Sequence, residues 1–592
     1  MHFVTSGWIS VLAFLWLQSN QTRSQNVGTT GNSSTYVHFT NDISDGEKKS
    51  TCERAKVVSE WYKRQGITIA PEEVPTIVFL GSGGGLTAAL AILATLEEMK
   101  TQGLLDGFMY IFGCSGSTWG MTVLYDKGDW VSKLETLNED FCNRIANPFF
   151  DAANALVKLI EASKHEDYSM TDVWCATTIN MSLKEYNEHT MSSWSPIVEN
   201  GSVPYPSFSA VDIMRLRNST FTDPDIYFEN TVPWSGYSPN GPFVTTSYFR
   251  SSFEDGDLVK REDEPNLCYL QALWGSVFAN KPEAIANALG AFALVIIDPN
   301  GNIAAPLADM SLLPDGTALD PLLAKLNSIL YLEGDELNST LQDILNTTPG
   351  NEDKASYNVT KMITSNWFTF DNATKQIAVT LLSTLLTLES IPPIGLTDAG
   401  IMFLKTMKSV AAWEWGTTNN FAKRKDSTDP SKIYLMDAGD GMRTPYPQAL
   451  QTARGVAMIV DLEVATENTF STLERAAKYC SENNIPFPFK GIPPGEGSIA
   501  NYSCYIFEEQ SIGTVGVPIL IHMPLFNKQN DKGENTAIKY TYFRTQYTKP
   551  ETVSLQSYAK ENVVNCAEQI KQKMIQLVQQ NSFIKRAGCP VV

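Results

Sequence analysis

Positive charge is scarce in this sequence: 45 lysines and arginines face 65 aspartates and glutamates, a net charge of −20. A nucleic-acid partner needs a basic footprint, so that class is excluded. Simple electrostatic adsorption to an anionic membrane is disfavoured, while lipid contact through local cations or an apolar rim stays open. Histidine is scarcer still, with five in 592 residues: His2, His38, His165, His189 and His522. No CxxC pair or Cys/His cluster occurs, so no metal site is expected. No apolar stretch is long enough to span a bilayer, and no apolar tail follows the last helical pattern, so neither a transmembrane segment nor a lipid-anchor signal is expected. Repeats, heptads and long charge blocks are also missing. What remains is an ordinary globular composition, 43% hydrophobic and 19% charged, in a chain long enough for a large buried core.

The apolar run 8–17 (WISVLAFLWL) has the length of a signal-peptide core and is too short to cross a membrane. It predicts cleavage after Ser24, or after Ser19, so that residues 1–24 form a signal peptide. A weakly basic start leaves a second reading, an apolar N-terminus on a cytoplasmic protein. Ten N-x-S/T sequons, at Asn20, Asn32, Asn180, Asn200, Asn218, Asn338, Asn346, Asn358, Asn372 and Asn501, favour secretion and glycosylation. Nine cysteines fit four disulfides and one free thiol. Cys114 is the natural odd one, and Cys480 with Cys504 and Cys566 with Cys589 are plausible local pairs.

Residues 25–50 are polar and predict a flexible leader, with one folded domain filling 51–592. Helical spacing begins near Cys52. Residues 76–80 (TIVFL) read as a buried strand ending at Gly81, residues 86–99 as a helix, and residues 108–112 (FMYIF) as the next strand, with a second helix just beyond Ser117. Strand, glycine turn, helix, strand, elbow, helix is a βαβα unit with a parallel sheet. Between about 150 and 430 the pattern is irregular, with aromatic-rich loops at 234–248. Strand character returns at 433–436, 456–460 and 518–521, and the chain closes on a helix near 561–580.

Gly113-Cys114-Ser115-Gly116-Ser117 fits the G-x-S-x-G elbow in part, with Ser117 in place of the last glycine. A sharp strand-to-helix turn exposes the serine hydroxyl, and small neighbours permit the strained backbone. Gly81-Ser82-Gly83-Gly84-Gly85 lies one βα unit upstream, where its N–H groups can face an oxyanion. Leu86 breaks a dinucleotide fingerprint and no lysine follows for a phosphate loop, which excludes both nucleotide readings. Two partners compete for Ser115. The order Ser115, Asp437, His522 matches a hydrolase triad, although His522 sits in an apolar run where a core histidine is the commoner explanation. Asp437, at a strand end before Gly439, is well placed to display a carboxylate.

Gly81 to Gly85 with Ala88, Gly103-Leu-Leu-Asp106, Gly113 with Ser115-Gly-Ser-Thr-Trp119, Trp413-Glu-Trp-Gly-Thr417, Asp437 with Gly439, Pro445-Tyr-Pro447 and Arg454-Gly-Val456 resemble the catalytic domain of the group IV cytosolic phospholipase A2 enzymes. Fungal phospholipase B enzymes are a more distant match. The resemblance spans about 51–580. It implies an α/β fold with a mixed central sheet, helices on both faces, a patatin-like Ser–Asp dyad core and a cap or lid inserted within roughly 250–410. It implies a phospholipase A2 or lysophospholipase that needs no cofactor and meets phospholipid or lysophospholipid at a membrane or micelle surface. Ser115 would be the nucleophile, Asp437 its base, and Gly84, Gly85 and Gly116 the oxyanion hole, with Arg454 near the substrate.

Two departures stand out. The family carries an arginine just after Gly-Gly-Gly-x, proposed to meet the substrate phosphate, where this chain has Thr87. Threonine supplies neither charge nor a bidentate grip, so another cation (Arg443 is a candidate) serves, headgroup demand is relaxed, or activity is low. The family's N-terminal calcium-dependent membrane-docking domain has no counterpart in the residues. The competing functional class is a secreted lipid-binding glycoprotein that keeps the fold without turnover.

Overall fold

The computed structural model describes residues 36–581 and 583, apart from 148–149, 255, 277–288, 291, 294–295, 297–319, 351–353, 391–397, 423–430, 510–515, 532–535, 542–543, 545 and 582. It opens on an edge strand, β1 (Val37–His38), and a helix, α1 (Asp45–Arg64), capped by Ser44, whose side chain accepts the Glu47 N–H. Residues 37–50 therefore belong to the fold rather than to a flexible leader. Val37 pairs with Val244, and Arg54 on α1 donates to the carbonyls of Leu105, Phe108 and Ser202.

Strands β2 (Thr76–Gly81) and β3 (Tyr110–Cys114), with helices α2 (Gly85–Thr101) and α3 (Gly116–Tyr125), form the βαβα unit read from the sequence. Every residue of both strands is buried, the pattern of parallel strands covered on two faces. The aromatic-rich stretch expected as loops instead pairs as an antiparallel meander. It comprises β5 (Tyr227–Asn230), β6 (Trp234–Tyr237) and β7 (Phe243–Thr245), laid beside β4 (Tyr205–Asp212). After helix α4 (Leu267–Trp274) comes a group of helices, α5 (Gly334–Thr347), α6 (Ala355–Asn366), α7 (Asn372–Glu389) and α8 (Asp398–Ala412), which pack on one another within the stretch expected as the cap. Strands β8 (Thr417–Asn419), β9 (Lys432–Asp437), β10 (Val456–Glu463), β11 (Tyr505–Phe507) and β12 (Ile519–Pro524) complete the sheet. Helix α9 (Lys549–Gln580) starts well before the position predicted and packs along α2.

Among the described residues the sheet has twelve strands in the order β1-β7-β6-β5-β4-β3-β2-β10-β12-β11, with β9 joined to both β4 and β8. Its centre, β4-β3-β2-β10-β12, is parallel, and the flanks are antiparallel. One junction brings the end of β3, just before Ser115, up to Asp437. Strand β3 pairs with β4 only as far as Cys114 opposite Ser209. On the next rung β9 pairs with β4 from the other direction and ends with Asp437 opposite Ala210. Two chain ends thus meet head to head on consecutive rungs of one strand. None of the described helices is long and apolar enough to cross a membrane.

The cysteines depart from the expected pairing. Cys52 is disulfide-bonded, but Cys114, Cys142, Cys175, Cys268, Cys480, Cys504 and Cys566 are free. Cys480 lies buried on its own helix while Cys504 hydrogen-bonds to Cys566. Separation along the chain did not reveal which sulfurs the fold brings together.

Candidate active site

Ser115 leaves β3 with φ 50° and ψ −126°. This positive-φ conformation costs a non-glycine residue about 1–3 kcal/mol, and such strain collects where function requires it. The turn is fastened from both sides. Ser117 Oγ donates to the Ser82 carbonyl at 2.6 Å, tying the elbow to the glycine turn. A Cβ at Gly83 would come within 3.0 Å of Ser115 Cβ and 3.2 Å of Arg443 Cγ, so only glycine fits there without pushing on the serine. A Cβ at Gly116 would collide with the Gly85 carbonyl, so the two turns touch through backbone alone.

The N–H groups beside Ser115 fall into two kinds. Gly83 N–H is spent on the Arg443 carbonyl at 2.9 Å. Gly85 and Gly116 open α2 and α3, so their N–H groups have no carbonyl within their own helix to reach. Both helices also direct the positive ends of their dipoles at this point. Gly83 thus abuts Ser115, and Gly116, which follows it, abuts Gly85.

Asp437 is fully buried. Its backbone N–H donates to Ser276 Oγ at 3.1 Å, and its Oδ1 accepts the Gly439 N–H at 2.8 Å. Oδ2 has no hydrogen-bond partner among the described residues. Burial pushes the carboxyl up to about 7, against the opposing pull of the Ser115 hydroxyl, the Gly439 N–H and the charge of Arg443. A carboxylate in that state is poised to take a proton near neutral pH. Cys114 Sγ lies 3.9 Å from Oδ1, and burial together with the Asp437 charge holds this thiol protonated, well above its ordinary range.

His522 is not part of this site. On β12 it faces Asp461 of β10, with Nδ1 at 2.9 Å from Oδ2 and Nε2 at 2.8 Å from the Thr469 carbonyl, and it is wholly buried. Burial lowers its pKa, but the charge and hydrogen bond of Asp461, with Glu463, outweigh that and raise it. Both ring nitrogens are occupied, so the triad alternative fails. The cation's stabilising contribution is fully present below the ordinary histidine range and is lost as pH rises through the raised value. His522→Gln should therefore keep turnover at permissive temperature while lowering unfolding free energy by about 1–3 kcal/mol at pH 6, less at pH 9. Parallel activity and thermal-melt measurements check this, and loss of turnover in a folded variant would contradict it.

Two residues expected near the substrate are elsewhere. Arg454 is buried in an ion triad. Nε and Nη2 bind Glu47 at 2.8 and 3.0 Å, Nη2 binds Glu229 at 3.1 Å, and Nη1 donates to the Gln448 carbonyl at 2.8 Å. Its guanidinium also stacks over Phe112, 5.0 Å from the ring centre. These partners spend its fork on structure rather than on the substrate. Thr87 is likewise buried, its hydroxyl 2.6 Å from Tyr547 Oη and 3.2 Å from the Tyr540 carbonyl. An arginine at this point meets packed tyrosines rather than a headgroup. Thr87→Arg should thus destabilise by about 1–3 kcal/mol from overpacking alone, with no selective gain for phospholipid over a neutral ester. A rise in that ratio would restore the headgroup reading.

The cation that does reach the site is Arg443, through its backbone contact to Gly83 and its charge on Asp437. Sequence reasoning missed Ser276, which belongs to no motif, and read Ser117 only as a substitute for the elbow's last glycine rather than as the tie to the Ser82 carbonyl.

The family described as the lysophospholipase catalytic domain matches residues 77–288. The chain is 32% identical over 553 residues to cytosolic phospholipase A2 gamma of Mus musculus, covering 88% of this chain and 89% of that protein. With the Homo sapiens protein of the same name it shares 32% identity over 534 residues, 87% of this chain and 92% of that one. Cytosolic phospholipase A2 zeta of Mus musculus is 26% identical over 82% of this chain and 54% of its own length. Among solved structures the chain resembles human GIVD cytosolic phospholipase A2, with a TM-score of 0.60 and 19% identity over 92% of this chain and 68% of that one, a likeness of fold.

Proposed function

The chain belongs to the group IV cytosolic phospholipase A2 catalytic-domain family, a phospholipase A2/lysophospholipase hydrolase class, and from that premise we propose that it cleaves acyl esters of glycerophospholipids or lysophospholipids through an acyl-serine on Ser115. The observation that carries this reading is the buried Asp437 carboxylate, which faces the Ser115 hydroxyl with one oxygen otherwise unengaged.

In this mechanism Ser115 Oγ attacks the ester carbonyl and its proton passes to Asp437. The N–H groups of Gly84, Gly85 and Gly116 hold the oxyanion. Collapse breaks the ester C–O bond, and the departing alcohol takes the proton back from Asp437. Water, deprotonated by the same carboxylate, then hydrolyses the acyl-serine. With Thr87 and Arg454 engaged in packing, Arg443 is the cation we assign to the phosphate side of the substrate.

We read the chain as entering the secretory pathway. The apolar run 8–17, sequons at the exposed Asn200, Asn218, Asn338, Asn346 and Asn372, and the disulfide at Cys52 support this. Asn180, in contrast, is buried with its amide on the Ala176 carbonyl. The relatives are named cytosolic, so the cytoplasm is the alternative compartment.

A fluorophosphonate probe, applied to medium and lysate of animal cells expressing the chain and followed by peptide mapping, tests both readings. The expected result is an adduct on Ser115 in glycosylated protein from the medium, beginning between about residues 19 and 25. Folded protein that stays unlabelled would leave the lipid-binding glycoprotein without turnover. Labelled protein confined to the lysate at unmodified mass overturns secretion alone.

A further inference from the structure

Cys175 opens a π-helical turn, Cys175–Ile179, and Cys268 is the second residue of α4; neither takes part in the dyad. Their Sγ atoms are 2.6 Å apart and both side chains are buried. A disulfide bond measures about 2.05 Å, so the fold has already brought these sulfurs almost to bonding distance. Cys114 offers the contrast, since its contacts are the Asp437 carboxylate and the Met442 carbonyl rather than a sulfur. We propose that Cys175 and Cys268 are joined by a disulfide in the mature protein, forming a clasp between the π-helical turn and α4.

The step balances with a disulfide oxidant of the thiol–disulfide oxidoreductase class. One thiolate attacks the oxidant's disulfide, the second displaces the mixed disulfide, and two protons and two electrons leave with the oxidant, which ends as a dithiol. Burial pushes the Cys175 thiol well above its ordinary range, so the finished core supplies little thiolate for later exchange. The bond therefore forms during folding, before the pair is covered.

The clasp has a place in the active-site support. Helix α4 accepts Trp119 Nε1–H on its Gln271 carbonyl at 2.8 Å, and Trp119 lies on α3, one turn beyond Ser115. Just past its other end, Ser276 Oγ accepts the Asp437 N–H, and the Gly275 carbonyl accepts Trp174 Nε1–H at 3.3 Å, from the residue next to Cys175. Helix α4 thus touches the elements that carry both members of the dyad, and the disulfide fixes its N-terminal end.

The test uses the full chain produced behind an efficient heterologous secretion leader, so that the compartment is oxidising whatever the native N-terminus does. The folded protein is denatured in acid with N-ethylmaleimide and no reductant, digested and mapped by mass spectrometry. We expect a Cys175–Cys268 cross-linked peptide, released by reductant, with Cys114 carrying the maleimide. Cys175→Ser should leave Cys268 alkylated and shorten the half-life of activity at elevated temperature severalfold, and Cys268→Ser should do the same. Maleimide on both Cys175 and Cys268, in active protein whose Cys52 disulfide is intact, overturns the proposal. So does a cross-link from either residue to a different cysteine. The wild-type map decides the matter even if neither variant folds.

Discussion

Asp437→Asn is expected to lower kcat by about 10²–10⁴-fold, the span a positioned general base contributes, without unfolding the protein. An amide keeps the shape and can still accept the Gly439 N–H, but it cannot take the Ser115 proton. The wild-type rate should rise about tenfold per pH unit at low pH and level off above about 7, where the carboxyl is ionised. Stability follows the opposite course. A carboxyl whose folded value is raised from 3.8 to about 7 favours the folded state at low pH, and that advantage is lost as pH rises through the interval. The asparagine variant carries no such titration, so its melting temperature relative to wild type should climb between pH 4 and 8. Activity that persists in a well-folded Asp437→Asn protein would remove this residue from the mechanism.

Arg454→Met should act on the fold rather than the reaction, lowering unfolding free energy by about 3–5 kcal/mol, the cost of stripping one partner from a buried ion cluster. Glu47 and Glu229 would be left facing each other around an apolar side chain, with Ser207 Oγ still donating to Glu229 at 2.8 Å. Burial already raises Glu47 above the ordinary carboxylate range, against the pull of Arg454, and the Glu229 charge adds to the rise. Removing the guanidinium raises Glu47 further, so the variant should be least stable at alkaline pH and recover partly towards pH 5, where that carboxyl can protonate. Denaturant unfolding at the two pH values measures this. If instead the variant unfolds normally but loses phospholipid turnover, Arg454 serves the substrate after all.

The parts of this molecule that could be read from its sequence are those whose determinants are contiguous. The run from Thr76 to Tyr125 declared itself because an apolar strand, a glycine turn and a helix follow one another, and each limits the next. Asp437 was legible for a similar reason, a carboxylate at a strand end before a glycine. Arg454 and Thr87 were misplaced because a motif gives order along the chain but not the direction in which a side chain points. Thr87 turns to Tyr547, 460 residues away, and Arg454 to Glu47, 407 residues away. The start of the fold was missed although Ser44-Asp-Gly-Glu47 has the spacing of a helix cap. Strand β1, by contrast, carries no local signal, since only its pairing with β7 makes it a strand. The meander β5–β7 was hidden for that same reason, and the sulfur pairs are wholly tertiary.

The meeting of β3 and β9 on β4 has an evolutionary consequence. Ser115 and Asp437 are spaced by the ladder of a single strand, not by the long path of chain between them. The helices α5 to α8, which lie between α4 and β8, can be lengthened, trimmed or exchanged without altering how Ser115 sees Asp437, provided α4 and Ser276 keep their places. A slip of one residue in β9 would turn the carboxylate to the opposite face and end the chemistry at once. Such a molecule separates what must stay fixed from what is free to vary, and its substrate range can diversify in the intervening helices while the reaction itself is inherited unchanged.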